Sequence, residues 1–330
     1  MSNFYYPWQE TQWQQLMSSH QQAHLGHALL FSGKAGSGKT QFAKNFAKAL
    51  LCQSLTTAQT PCQQCQSCTL FEAGSHPDIV ILKANSKAKT KIIKVADIRD
   101  CTKWLPITSQ TNDYRIIIIE NADKMNHAAS NALLKTLEEP VKNRFLILTS
   151  SHSERLSATI RSRCQQTQFY IQKEQAIPWL SQQDNLNNKP LPSLLSLANG
   201  APLKALEIAQ SDLIEQQQQA IKDFSNLITK TVDPISIAHL WFKNTQVPYI
   251  TWLLSWVIDL VRLFYQPSTK HLYHFELQKN LRLLLHDINL KQLYFLYDAL
   301  LQSNKLWETP INKQLLLEKI LIQCTKLTDK

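Results

Sequence analysis

Residues 33–40 read Gly-Lys-Ala-Gly-Ser-Gly-Lys-Thr and meet the phosphate-loop pattern G-x-x-x-x-G-K-[ST] at every fixed position. No other stretch limits the fold as much, because this pattern works only between a strand and a helix. Both flanks agree. Ala28-Leu29-Leu30-Phe31 is an apolar run of strand length, and Phe42, Ala43, Phe46, Ala47, Leu50 and Leu51 fall on one helical face. The glycines let backbone N–H groups approach an anion, and the helix start adds its positive dipole end. Gly33, Gly36, Ser37 and Gly38 are therefore expected to cradle the phosphates of ATP or ADP. Lys39 is expected to reach the outer phosphates, and Thr40 to offer its hydroxyl to Mg²⁺.

Cys52, Cys62, Cys65 and Cys68 follow with the spacing C-x9-C-x2-C-x2-C. Four thiolates in so short a knuckle suit tetrahedral Zn²⁺, and four sulfurs close the shell, so the expected site is structural rather than hydrolytic. The opposing reading is four unconnected reduced thiols, since disulfides are rare in the cytosol. His76 lies in the turn sequence Gly74-Ser75-His76-Pro77 and reads as a turn histidine, because the four sulfurs are complete without it. Cys101, Cys164 and Cys324 stand alone and call for no special role.

The rest of the first half alternates. Asp78 to Leu82 reads as a buried strand, and Lys83, Lys87, Lys89, Lys91 and Lys94 make a basic surface loop after it. Val95, Ile98 and Leu105 mark one face of a helix. Tyr114 to Ile119 carries four consecutive isoleucines, as expected of a central parallel strand covered on both faces. It ends in Glu120-Asn121-Ala122-Asp123, where a phosphate-loop NTPase places its second acidic motif, so Glu120 is a candidate Mg²⁺ contact. A helix with Ala128, Ala132, Leu133 and Leu137 inward leads to another buried strand, Phe145 to Leu148, ending at Thr149-Ser150. This order predicts a doubly wound α/β sheet that binds nucleotide outside the carboxyl ends of its strands.

From about residue 171 the composition shifts to Gln, Asn and Ser, with Pro190 and Pro192 punctuating a linker. Beyond residue 211 the pattern is helical: Leu253, Val257, Leu260, Val261 and Phe264 share one face, and Leu293, Leu296, Tyr297 and Leu300 another. Leu315, Leu316, Lys319, Ile320 and Gln323 mix apolar and polar sides in the last helix. The longest apolar stretch, Trp252 to Tyr265, is interrupted by Asp259 and Arg262 and is too short to span a bilayer. Without a signal-peptide pattern, the chain reads as cytoplasmic, with no membrane partner. A net charge of +10 admits nucleic acid as a partner.

The segment Asn131-Ala132-Leu133-Leu134-Lys135-Thr136-Leu137-Glu138-Glu139-Pro140 and the later Ser162-Arg163-Cys164 resemble bacterial clamp-loader subunits. These are AAA+ ATPases that open the sliding clamp for DNA polymerase III. Tyr6-Pro7-Trp8, Gly74-Ser75-His76-Pro77-Asp78, Ala122-Asp123, Gly200-Ala201-Pro202 and Leu315-Leu316-Leu317-Glu318 draw the resemblance toward the delta-prime branch. The resemblance covers essentially the whole chain. It implies a RecA-like AAA+ domain over 1–170 with an inserted zinc knuckle at 52–68, a small all-α lid over 171–210, and an all-α collar over 211–330. It further implies a hetero-pentameric ring with gamma/tau and delta subunits, acting on the sliding clamp and primer-template DNA. In that ring Arg163 would be a finger presented in trans to a neighbour's ATP.

Two sites depart from active motors of this kind. Glu120 and Asn121 stand where motors carry Asp-Glu, and Asn121 cannot accept a proton; losing a general base typically costs about 10²–10⁴ in rate. Asp123 is a candidate substitute. In the lid, Leu203 stands at the phosphate-sensing arginine, with Lys204 beside it. The expectation is a subunit that binds nucleotide and hydrolyses it poorly. A gamma/tau-type motor is the alternative within the family, and a phosphate-loop kinase with a zinc knuckle the alternative outside it.

Overall fold

Four isoleucines show how the first half folds. In the computed structural model, Ile116 and Ile118 face one way, into a cluster with Trp13, Leu29, Phe31, Phe42 and Phe46. Ile117 and Ile119 face the other way, onto Leu30, Ile98, Leu133, Leu146 and Leu148. Side chains alternate across a strand, so a run apolar at every position can only be satisfied between two helical layers. Each fully buried isoleucine contributes about 1.5–3 kcal/mol, which makes this strand the anchor of both layers.

The structure describes residues 4–84, 92–111, 113–183, 186, 191–244, 247–269, 271–274, 277–307, 309 and 311–329. They form two compact units, Met1–Trp179 and Leu180–Lys330. The first runs α1 (Glu10–Gln21), β1 (Ala28–Gly33), α2 (Lys39–Leu51), α3 (Gln66–Glu72), β2 (Ile79–Leu82) and α4 (Val95–Trp104). It continues through β3 (Arg115–Ile119), α5 (His127–Glu138), β4 (Arg144–Ser150), α6 (Ala158–Arg163), β5 (Gln165–Phe169) and most of α7 (Lys173–Ser181), whose last two residues belong to the second unit. The sheet order is β2-β3-β4-β1-β5, with every pairing parallel. The phosphate loop leaves β1, which is flanked by β4 and β5, so its anion cradle opens at the carboxyl edge of the sheet.

Several expectations need correction. Strand β2 is half-buried rather than buried, with Ile81 39% exposed, because it is an edge strand with a partner on one side only. On α5 the buried residue is Ala129, not Ala128; with Leu133 and Leu137 it makes an i, i+4, i+8 stripe, and Ala132 lies at its margin. Strand β5 was not legible as a strand: in Gln165-Gln166-Thr167-Gln168-Phe169 only Thr167 and Phe169 point inward. Its pairing to β1 is close, since a Cβ on Gly33 would stand 2.8 Å from the Phe169 carbonyl oxygen. Lys87, Lys89 and Lys91 of the basic loop lie outside the described residues, as does Pro190; Lys83 and Lys94 are exposed.

The second unit is helical throughout its described residues: α8 (Leu191–Leu197), α9 (Pro202–Ala209), α10 (Leu213–Ile228), α11 (Pro234–Lys243) and α12 (Tyr249–Tyr265), then α13 (Gln278–Leu285), α14 (Leu290–Leu306) and α15 (Lys313–Thr325). Pro192 sits in the first turn of α8, where its missing N–H costs nothing, instead of in a linker. Asp233, Asn289 and Asn312 cap α11, α14 and α15 through their side-chain oxygens. The buried stripe of α12 is Leu253, Trp256, Val257, Leu260 and Leu263; Phe264 is 45% exposed and Val261 only half-buried, so neither belongs to it. Asp259, the charge that breaks the apolar run, is fully buried and accepts the N–H groups of Tyr273 and His274, both at 2.8 Å. Among the described residues no helix is long and apolar enough to cross a membrane.

Candidate functional site

The loop from Gly33 to Thr40 closes onto α2 with Gly38 in the left-handed region at φ 82°. Lys39 follows in helical conformation, an alternation that curls successive N–H groups inward and makes an anion-binding nest. Among the described residues no hydrogen bond takes up the amide N–H groups of Gly38, Lys39 or Thr40. The Ser37 hydroxyl is buried without a partner as well. Lys39 is 4% exposed and its ammonium donates to the Lys34 carbonyl at 3.2 Å and to Ser151 Oγ at 2.8 Å. Burial lowers its pKa to about 8, partly offset by the charge of Asp123. A cradle of donors with a desolvated lysine at its mouth fits a polyphosphate, whose charge would restore what burial takes from Lys39.

The carboxyl ends of β3 and β4 bring polar groups to the same edge. Asp123 Oδ1 accepts from Ser150 Oγ at 2.7 Å and from the Ser151 N–H at 3.1 Å. Lys39, Ser151 and Asp123 thus form one chain of hydrogen bonds. Ser151 carried no role in the sequence reading; the signal was there in three consecutive hydroxyl residues, Thr149, Ser150 and Ser151, at the end of an apolar strand. Glu120 lies at the end of β3, and its largely buried carboxylate is 2.8 Å from the ammonium of Lys44 on α2. Asn121 is left-handed at φ 53° and its N–H donates to Thr149 Oγ1 at 3.0 Å. Asparagine tolerates that conformation better than other side chains, which gives Asn121 a backbone reason for its presence.

Arg163 ends α6 on the far side of the sheet from Lys44. Its guanidinium is 2.7 Å from Glu138 Oε1 and donates to the Thr159 carbonyl at 3.2 Å. The two stretches that carried the clamp-loader resemblance are therefore joined by an ion pair. The neighbouring Cys164 is buried, and burial pushes its thiol up to about 12, well away from reactivity. In the second unit Leu203 is half-buried on α9 and Lys204 is exposed.

The four knuckle cysteines converge: one sulfur from each lies within 4.8 Å of all the others. Cys52 Sγ is 3.6 Å from Cys62, 4.0 Å from Cys65 and 3.7 Å from Cys68. A tetrahedral ion with ~2.3 Å bonds to sulfur needs about 3.8 Å between sulfurs, so the geometry fits a four-sulfur shell. Backbone N–H groups of Cys62, Cys65 and Cys68 point at the sulfurs of Cys52, Cys62 and Cys65. Such N–H donors, first among them those of Gln64 and Cys65, lower the Cys62 thiol to about 6, whereas burial pushes the Cys52 and Cys68 thiols up.

His76 is more than a turn residue. It is 5% exposed, stands 2.9 Å from Ser67 Oγ, and accepts the Asp78 N–H at 3.1 Å through Nδ1. Ser67, between two of the cysteines, also donates to the Leu51 carbonyl at 2.6 Å. His76 thus ties the knuckle to the start of β2. Burial keeps its pKa low, so the ring is neutral and one nitrogen remains free to accept.

Residues 8–173 match the family profile described as DNA polymerase III, delta subunit, and residues 211–326 match its C-terminal counterpart. The chain is 32% identical over 329 residues to the DNA polymerase III subunit delta-prime of Pseudomonas aeruginosa, covering 98% of both chains. It is 31% identical over 258 residues to the protein of the same name from Haemophilus influenzae, covering 78% of this chain and 77% of that one. A DNA polymerase III subunit tau of Bacillus subtilis is 38% identical over 156 residues, 47% of this chain and 27% of that one.

Proposed function

We propose a clamp-loading role for this chain from one premise: it belongs to the delta-prime family of DNA polymerase III subunits. In this reading the chain assists ATP-dependent loading of the sliding clamp onto primed DNA, as one subunit of a ring with gamma/tau and delta subunits. What carries the reading is a likeness that runs the whole length of both chains, through the helical half as well as the nucleotide fold. The first unit is RecA-like. Residues 171–210 serve as the lid and the helices from 211 as the collar that packs against neighbouring subunits.

The nucleotide site holds ATP or ADP with Mg²⁺. Gly33, Gly36, Ser37 and Gly38 supply the cradle, Lys39 the counter-charge, and Thr40 with Glu120 or Asp123 the metal contacts. When bound, the nucleotide brings the phosphoryl charge that these donors neutralise. Hydrolysis here is poor, because Asn121 cannot take a proton from water and Glu120 is engaged by Lys44. Support for the second reading, an active gamma/tau-type motor, comes from the intact loop and the likeness to a tau subunit. Reconstitution separates the two. Adding the full chain to gamma/tau and delta should produce a ring whose ATPase activity is stimulated by clamp and primed DNA, while the isolated chain turns over negligibly. A chain that neither co-purifies with those subunits nor alters their activity would end the clamp-loader reading.

The four cysteines hold a structural Zn²⁺. Protein purified without added zinc is expected to carry about one zinc per chain, as a complete four-thiolate shell requires. Cys65→Ser should lower that content and loosen the knuckle while leaving nucleotide affinity within about twofold, the cradle sharing no ligand with it. Zinc content well below one per chain in the wild-type protein would count against the site.

A further inference from the structure

The N-terminal turn does something that neither the family motif nor the phosphate-loop pattern assigns. Pro7–Gln9 forms a single 3-10 turn, closed by the Gln9 N–H on the Tyr6 carbonyl at 2.8 Å and by the Tyr6 N–H on Gln9 Oε1 at 3.1 Å. From this turn two buried side chains reach the same atom of the phosphate loop. Trp8 Nε1 and Gln9 Nε2 each donate to the Ser37 carbonyl oxygen at 2.9 Å. Trp8 and Gln9 are 3% and 0% exposed, so both donors act in a desolvated setting. The turn is held flat by aromatic packing: Tyr6 and Trp8 stack at 5.0 Å with an interplanar angle of 5°, and Trp179 meets both edge-on at 5.4 Å.

All described peptide bonds are trans. In a trans peptide unit the carbonyl and the next N–H point in opposite directions. Fixing the Ser37 carbonyl toward Trp8 and Gln9 therefore fixes the Gly38 N–H toward the other side, into the cradle. A peptide followed by glycine can otherwise flip at little cost, because φ > 0 is open to that glycine. A flip here would aim a carbonyl oxygen at the bound anion. Gly38 has two constraints: its φ of 82°, and a turn packed so closely that a Cβ would lie 2.5 Å from the Tyr6 ring and 2.9 Å from Gln9 Nε2. We propose that Trp8 and Gln9 are positioning residues of the nucleotide site, holding the Ser37–Gly38 peptide in the one orientation that donates to phosphate. This rests on the nucleotide-binding reading given above.

The test uses the full-length protein, MgADP as the probe, and three variants that remove donors while keeping bulk: Trp8→Phe, Gln9→Leu and the double variant. Calorimetry should show MgADP binding to wild type and none to Lys39→Ala. The double variant should bind about ten- to a hundredfold more weakly, the loss of one charge-assisted hydrogen bond to phosphate. Each single variant keeps one donor and should lose less than the double. The ¹⁵N-labelled Gly38 amide reads the peptide directly. It should shift strongly on MgADP addition in wild type and weakly in the double variant, a signature that mere destabilisation would not produce. If the double variant does not fold, the two single variants carry the comparison. Wild-type affinity and an unchanged Gly38 response in the donor-free proteins would overturn the proposal. Failure of the wild type itself to bind would instead sink the nucleotide reading on which it stands.

Discussion

Replacing Arg163 with alanine is expected to slow hydrolysis at the neighbouring subunit's ATP site by about 10³-fold or more, the usual worth of an arginine supplied in trans. The expectation follows from what holds the side chain in the free subunit. Arg163 and Glu138 pair at 2.7 Å, but their side chains are 36% and 50% exposed. An ion pair that wet contributes only about 0–1 kcal/mol, so exchanging Glu138 for a developing phosphoryl charge costs little. The pair and the bond to the Thr159 carbonyl hold the guanidinium beside α6 without locking it there. Lysine should not rescue, because a point charge lacks the planar fork that spans two phosphate oxygens. Single-turnover hydrolysis by the reconstituted ring is the measurement, with the variant's own folding and nucleotide affinity as controls. A wild-type rate in rings containing Arg163→Ala would remove the finger from this residue.

The second large effect concerns stability. Asp78→Ala is expected to destabilise the first unit by about 3–5 kcal/mol, the cost of stripping the partner from a buried charge. Asp78 is fully buried just ahead of β2. It accepts the N–H groups of Gln110 and Thr111, both at 2.8 Å, and the Thr111 hydroxyl at 2.7 Å. The Arg115 guanidinium stands 3.3 Å away, lies over the Trp104 ring at 4.3 Å and donates to the Trp104 carbonyl at 2.9 Å. Removing the carboxylate leaves the buried Arg115 without its counter-charge and two part-buried amide donors without their acceptor.

The pH dependence of the same residue has a definite sign. Burial pushes the Asp78 carboxyl up, but the two amides, the hydroxyl and Arg115 outweigh it and hold the group below its ordinary value. A folded-state pKa below the unfolded one contributes stability that is present above about pH 4 and lost as the pH falls further. Denaturant unfolding at pH 7 should show the full loss in Asp78→Ala, and the variant should have a shallower decline toward pH 3 than wild type. Equal midpoints at pH 7 would mean that the network around Arg115 is dispensable.

What the sequence determined was local. The strand-loop-helix unit around Gly33 to Thr40, the isoleucine strand and the four-cysteine knuckle each carry their geometry in the spacing of a few residues, because one strand, one turn or one metal shell sets that spacing. The polar strand Gln165–Phe169 escaped because its reason for being a strand is its neighbour β1, not its own pattern. The same holds for the site. Whether Glu120 would face the cradle or Lys44, and that Ser151 would join Lys39 to Asp123, depended on which strand ends the parallel order brings together. The Ser37 carbonyl and its two donors lie 28 and 29 residues apart in the chain. No periodicity encodes such a contact; only packing the N-terminal turn against the finished sheet decides it.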